Sequence, residues 1–291
     1  MIAVVKSGLL TTVQDLGRSG YAHLGVARSG ALDEPALIRA NRLVGNADGA
    51  AGLETTLTGV SLRPETPVTV AVTGAVAPVS VDGQREFDTA VAVPAGALFE
   101  VGPATFGVRS YVAIGGGVTV APVLGSRSTD TLCGLGPPPL RAGHVFPIGS
   151  PAPAVQPALD LAYAFSAALA TLAAEPTVVE LRTRPGPRQD WFSTTARDAF
   201  FAEEFTLTVK SNRVGARLAG PVLSRAIATE LPSEGIVLGA VQVPSDGQPL
   251  VFLADHPTTG GYPIIAVVER ADLPRLAQAR PGAVVRFVPW I

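Results

Sequence analysis

The chain reads as a mainly β protein with a few helices, arranged as a sandwich or barrel. Short β-branched runs recur between Gly, Pro and Asp turns, the pattern of such folds. Hydrophobic residues make up 47% of the 291 residues and charged residues 16%, which supplies a large core and excludes a disordered chain. Helical periodicity, by contrast, is confined to a few segments.

Val68–Val72, Val91–Val93, Leu98–Val101 and Val108–Ile114 read as strands, followed by Val178–Arg182, Phe205–Val209, Ile236–Val243 and Val284–Val288. Leu250–Ala254 and Ile264–Val268 are two further buried runs. The tetrad Pro244-Ser245-Asp246-Gly247 joins apolar runs and predicts a hairpin turn. Asp33-Glu34-Pro35 opens the clearest helix: Asp33 caps, Pro35 suits the first turn, and Ala36, Leu37, Ala40, Leu43 and Val44 form an apolar stripe that Asn46 ends. Thr194 or Thr195 is placed to cap a second helix running through Glu203, and Ala271–Ala279 is a short third. Residues 1–150 are expected to form an N-terminal lobe, 151–176 an Ala/Pro-rich connector with a helical middle (Leu159–Ala174), and 177–291 a C-terminal lobe.

Composition removes several function classes. A formal charge of −2 gives no electrostatic reason to bind nucleic acid or an anionic membrane. No apolar run reaches the roughly 20 residues of a spanning helix. The N-terminus enters strand-like sequence without a signal-peptide layout, and the lone Cys133 fits a reducing compartment, so a cytoplasmic location is expected. Three widely separated histidines, His23, His144 and His256, have no ligand spacing, and no metal is expected. The only lysines, Lys6 and Lys210, lie in no phosphate-loop motif, and no Met-Lys-Met context offers a biotin attachment point.

Four polar constellations remain. Asp255-His256-Pro257-Thr258-Thr259-Gly260-Gly261-Tyr262-Pro263 sets a carboxylate, an imidazole, hydroxyls and a phenol around two glycines, between two apolar runs. It reads as a site wall or as a hairpin loop. Gln242 and Gln248 flank the neighbouring hairpin turn, and a meander would bring Gln242 and this loop to the same barrel end. Asn212, Arg213 and Arg217 read either as an anion clamp or as a turn holding a structural Arg–Asp pair. Arg109, inside an apolar strand that leads into Gly115-Gly116-Gly117, must find a partner or face a cleft. Gln14, Asp15 and Arg18 form a possible second pocket, or turn chemistry alone. Among these, Asp255, His256, Thr258 and Tyr262 are the catalytic candidates. Arg109, Asn212, Arg213, Arg217, Gln242, Gln248, Thr259, Gly260 and Gly261 are the substrate-binding candidates. Spacing assigns no reaction, and the residues alone indicate a cleft for a small polar or anionic ligand.

Thr11–Arg18, Ser29–Asp33, Ala40–Asn46 and Leu53–Thr56 resemble the opening of the biotin-dependent carboxyltransferase-like family, which includes proteins labelled as the 5-oxoprolinase C subunit, allophanate hydrolase subunit 2 and sporulation kinase-inhibitor antagonist. Arg109–Tyr111, Gly125–Asp130, Arg184–Pro187, Ser211–Arg217, Gly239–Pro249 and Thr258–Pro263 continue the resemblance in order. It implies two packed cyclophilin-like β-barrel lobes and a B-type, kinase-inhibitor-like partner subunit. An A-type lactamase subunit would complete a 5-oxoprolinase. That enzyme opens 5-oxoproline to L-glutamate with ATP, shared here with the partner. The alternatives are a carboxyltransferase subunit acting on urea or a related amide, and a non-catalytic regulator of its kinase-inhibitor-like partner. In the catalytic reading, Arg109, Arg213 and Arg217 handle anionic groups, Gln242, Gln248 and Asn212 orient the amide, and His256, steered by Asp255, moves a proton.

Overall fold

A computed structural model describes residues 1–86, 90–150, 178–227 and 229–290. Among them the chain is mainly β, with three α-helices, and none of these helices is long and apolar enough to cross a membrane. The expected connector 151–176, with its helix Leu159–Ala174, lies outside the described residues.

The described residues divide into two compact units. One contains Met1–Arg18, Asp33–Thr129 and the described part of Gly134–Glu175. The other contains Ser19–Leu32, Asp130–Cys133 and the described part of Pro176–Ile291. Two short segments of the N-terminal half thus belong to the second unit.

In the first unit two antiparallel sheets share one core. The six-stranded sheet runs, in spatial order, Val145–Phe146, Ile2–Lys6, Val60–Pro64, Phe99–Val101, Val79–Val81, Gln84–Glu86. The five-stranded sheet runs Leu10–Gln14, Gly52–Thr56, Phe106–Ile114, Val68–Val76, Val91–Val93. Ile2, Leu62, Phe99 and Phe146 from the first sheet pack with Val13, Leu53, Val70 and Val112 from the second. The helix Glu34–Leu43 begins as expected: the Asp33 carboxylate accepts the Ala36 N–H at 3.0 Å, and Ala36, Leu37, Ala40 and Leu43 are buried. Asn46 lies beyond the helix end and acts through its side chain, donating to the Ile114 carbonyl at 2.9 Å and accepting the Gly116 N–H at 2.8 Å. Gly115-Gly116-Gly117 is therefore a pinned turn after the Phe106–Ile114 strand.

The second unit is built on a closed seven-stranded barrel. Its order is Val178–Pro185, Ile264–Val268, Ala240–Gln242, Leu250–Phe252, Gly215–Ala219, Phe205–Leu207, Val284–Pro289, closed by parallel pairing of the first and last. Leu181, Phe205, Val241, Val251, Val285 and Phe287 fill its core, where Phe200 stacks on Phe287 with ring centroids 4.3 Å apart. Leu32 packs into the same core. Three expected elements shift. The run Ile236–Val243 is a strand only over Ala240–Gln242, because Gly239 sits at φ +82° and turns the chain. The second helix, Thr194–Ala202, is capped by Ser193 rather than a threonine, its hydroxyl accepting the Ala196 N–H at 3.1 Å. The third splits into a 3-10 turn, Arg270–Asp272, and the helix Leu273–Gln278. The Pro244–Gly247 turn forms as expected, with Gly247 at φ +73° between the paired strands Ala240–Gln242 and Leu250–Phe252.

Candidate functional site

Asp255 follows the barrel strand Leu250–Phe252 and is completely buried. Buried carboxylates are tolerated when paired and fully hydrogen-bonded. This one is. Arg213 donates from Nε to Oδ2 at 2.9 Å and from Nη2 to Oδ1 at 3.0 Å. The Ser29 hydroxyl donates to Oδ1 at 2.8 Å, and Thr131 donates its N–H (2.9 Å) and hydroxyl (2.7 Å) to Oδ2. Arg213 also donates from Nη2 to the Gly30 carbonyl at 2.7 Å. Four sequence-remote segments of the second unit meet at one carboxylate. Burial pushes the Asp255 carboxyl upward, but the Arg213 charge and the hydrogen bonds from Arg213 and Thr131 outweigh it and hold it below its ordinary value.

Next to this knot, His256 is buried to 7% exposure. Its Nδ1 lies 2.7 Å from the Pro257 carbonyl oxygen, which cannot donate, so Nδ1 carries the proton and Nε2 carries the lone pair. No hydrogen bond to Nε2 is made among the described residues. Burial lowers the imidazole pKa below its ordinary value, against the opposing effects of the Pro257 hydrogen bond and the Asp255 and Asp130 carboxylates. The ring is thus a neutral base at physiological pH. Asp255 makes no hydrogen bond to the His256 ring among the described residues: both of its oxygens are taken by Arg213, Ser29 and Thr131.

Arg213 and Arg217 do not form a joint clamp. They lie four residues apart, yet Arg213 is buried against Asp255 whereas Arg217 is exposed on the strand Gly215–Ala219. The structural Arg–Asp pair is the arrangement adopted. Asn212 closes a turn, accepting the Val214 N–H at 2.8 Å and the Gly215 N–H at 3.2 Å. Gln248 imitates a backbone partner, its amide exchanging hydrogen bonds of 2.8 and 3.1 Å with the Gly220 backbone. Gln242 does meet the loop: it is buried and donates to the Tyr262 carbonyl at 3.1 Å. A Cβ on Gly260 would lie 2.6 Å from Ile236 Cδ1 and 3.0 Å from Gln242 Nε2, so a side chain there would have to push the ends of those two side chains aside. Thr258 accepts the Ile236 N–H through its carbonyl, and Thr259 pairs with Gly235 in a short ladder. Gly261 is half-buried near the Leu231 carbonyl. Tyr262 is 44% exposed, with the Arg225 guanidinium 5.4 Å above its ring.

The other candidates belong to the first unit. Arg109, buried on its strand, faces Glu54 at 3.8 Å, and the Tyr111 hydroxyl donates to Glu54 at 2.8 Å while accepting the Asp33 N–H at 2.7 Å. Burial, then the Glu54 and Asp33 charges, raise the Tyr111 phenol well above its ordinary value, so it stays protonated as a donor. Asp15 accepts from the Gly17 and Arg127 N–H groups and the Ser126 and Ser128 hydroxyls at 2.5–2.8 Å. Gln14 donates to the Thr129 carbonyl at 2.9 Å, and Arg18 to the Ser128 carbonyl at 2.5 Å. These three brace the loop 126–129.

Sequence reasoning did not pair Ser29 or Thr131 with Asp255, nor Glu54 with Arg109. Ser29 has no local signal for its role. Its backbone lies at φ +54°, which only the folded structure reveals.

Relatives agree with this architecture. The chain is 38% identical to the C subunit of 5-oxoprolinase from Escherichia coli K12, over 99% of this chain and 91% of that protein. It is 33% identical to the Haemophilus influenzae protein of the same name, over 99% and 90% respectively. The solved structure of the K. lactis urea amidolyase superposes with a TM-score of 0.87 at 29% identity, covering all of this chain and 19% of that one. The family profile described as carboxyltransferase domain, subdomain A and B, matches residues 24–289, and the chain belongs to that family.

Proposed function

We propose that this chain is the C-type subunit of a 5-oxoprolinase, opening 5-oxoproline to L-glutamate together with B-type and A-type partner subunits in the cytoplasm. The observation that carries the reading is the 38% identity to the E. coli 5-oxoprolinase C subunit over nearly the whole of both chains. Matches to urea amidolyase cover only about a sixth of that protein, as in the yeast enzyme at 16%. A carboxyltransferase reading therefore needs modules outside the matched region.

Ring opening consumes one water: its oxygen bonds to the lactam carbonyl carbon, the C–N bond breaks, and the departing nitrogen takes up a proton. His256 suits the proton-transfer role, because it is neutral and its Nε2 lone pair is unengaged among the described residues. In this reading Thr258, Thr259, Gly261 and the exposed Tyr262 follow His256 on the loop and meet the substrate, while Gln242 donates to the Tyr262 carbonyl and fixes the loop backbone. Arg217 is exposed, unlike the buried Arg109 and Arg213, and in this reading it meets an anionic group. The buried arginines do not fit a triphosphate: Arg213 is committed to Asp255 and Gly30, Arg18 to Ser128 and Val123 carbonyls, and Arg109 to Glu54. In this reading ATP is shared with a partner subunit, whose groups supply the contacts these three arginines do not.

The test is glutamate release from 5-oxoproline and ATP by the complex co-purified with both partners. The expected result is turnover that His256→Gln lowers by about 100-fold while the complex still assembles. A complete, folded complex that releases no ATP-dependent glutamate overturns the reading.

A further inference from the structure

The loop holding His256 is fixed by residues far from it in the chain. Asp255 Oδ1 accepts from Ser29 and Arg213; Oδ2 accepts from Arg213 and twice from Thr131. A carboxylate offers about four lone-pair positions, so Asp255 has no capacity left for its neighbour. His256 consequently turns Nδ1 to the Pro257 carbonyl and leaves Nε2 without a partner among the described residues. Ser29 is completely buried and held at φ +54°, a region non-glycine residues adopt when their surroundings over-determine them. Its N–H is tied to the Ala254 carbonyl at 3.0 Å, so both its backbone and its hydroxyl grip Ala254-Asp255.

We propose that Ser29 and Thr131 are positioning residues that saturate Asp255 and thereby hold His256 as a single tautomer, protonated on Nδ1 with Nε2 presented. Loss of the Ser29 hydroxyl leaves Oδ1 with one donor and an open position, and loss of the Thr131 hydroxyl relieves an Oδ2 that three donors crowd; either change gives the imidazole N–H access to an anionic acceptor stronger than the Pro257 carbonyl. The ring is then drawn toward Asp255, and Nε2 is no longer held in one direction. The catalytic consequence rests on the reading of His256 as the proton-transfer group; the tautomer consequence does not.

The experiment uses the full chain labelled with ¹⁵N-histidine. The ring resonances of His256 are assigned by their loss in His256→Gln, which separates them from His23 and His144. At pH above the imidazole titration the unsubstituted chain should show a single tautomer protonated on Nδ1. Thr131→Val and Ser29→Ala should each shift or broaden this pattern, and Thr131→Ser, which keeps the hydroxyl, should restore it. In the complete complex the two hydroxyl-deleting variants should lose about 10-fold in kcat with little change in KM, and Thr131→Ser should recover it. Deletion variants that keep the original His256 resonances, or a Thr131→Ser variant that fails to restore them, overturn the proposal even where thermal stability falls. Should the unsubstituted complex fail to release glutamate, the functional reading fails, while the resonances of the three variants still decide the positioning role. Ser29→Ala guards against a folding artefact at Thr131, since alanine adds no atom to a site already in the left-handed region.

Discussion

Removing the Arg213 guanidinium would leave the buried Asp255 carboxylate without its counter-charge. Breaking such a pair from one side costs about 3–5 kcal/mol, because an uncompensated charge stays buried. Arg213→Ala should therefore lower the thermal midpoint sharply, and Arg213→Met combined with Asp255→Leu should lose less than the sum of the single changes. Calorimetry of Arg213→Ala, Arg213→Met, Asp255→Leu and the double variant checks this. A pH dependence follows from the two groups side by side. The folded-state pKa of His256 is depressed, so its contribution to stability is present above the unfolded value of about 6.5 and is lost as pH falls below it. Asp255 is also depressed, and its contribution is lost only as pH falls through and below about 3.9. Urea midpoints should thus drop between pH 7.5 and 5.5, and His256→Gln should flatten that drop without altering the steeper loss in stronger acid.

At the scale of elements, turns decide where apolar runs become strands. Gly116 combines φ +88° with a close approach: a Cβ there would lie 2.1 Å from the Gly149 carbonyl oxygen. Gly116→Ala must strain the backbone and also push another backbone segment aside, so a loss of at least about 1–3 kcal/mol is expected by denaturant titration. An unchanged midpoint would show that the turn relaxes freely. Gly239 works in the same way, breaking Ile236–Val243 so that Ala240–Gln242 enters the barrel while Glu234–Gly235 pairs with Thr259–Gly260 outside it. That division brings Gln242 to the Tyr262 carbonyl and fixes the glycine loop.

For the whole molecule, the second unit draws on three stretches of chain. Ser19–Leu32 supplies Ser29 to Asp255 and Leu32 to the core, and Asp130–Cys133 supplies Thr131. A fragment spanning 178–291 would retain all seven barrel strands yet lose those hydrogen bonds and that side chain. It should unfold with a lower and broader transition than the full chain, and supplying residues 1–150 in trans should sharpen it. Circular dichroism melts of the fragment with and without that partner measure the effect; equal midpoints for fragment and full chain would refute the dependence.

The sequence alone determined the mainly β class, the position of six of the seven barrel strands, the Asp33 cap and the Pro244–Gly247 turn. Each of these rests on local chemistry: alternation, β-branching, a capping carboxylate or a residue that tolerates φ > 0. It also supported membership in a family through ordered motifs, since 5-oxoprolinase-type blocks recur along nearly the whole chain. Local chemistry did not determine which polar groups meet. Arg213 and Arg217 look alike in sequence, but the path from the turn at Asn212 into the strand buries one and exposes the other. Ser29 and Thr131 are brought to Asp255 only by chain closure over more than a hundred residues, and Arg213 over 42, and no periodicity encodes such a meeting. The tertiary structure decided that Asp255 holds the architecture and that His256, among the described residues, is left with an unengaged nitrogen, because a carboxylate saturated by remote donors has nothing further to offer its neighbour.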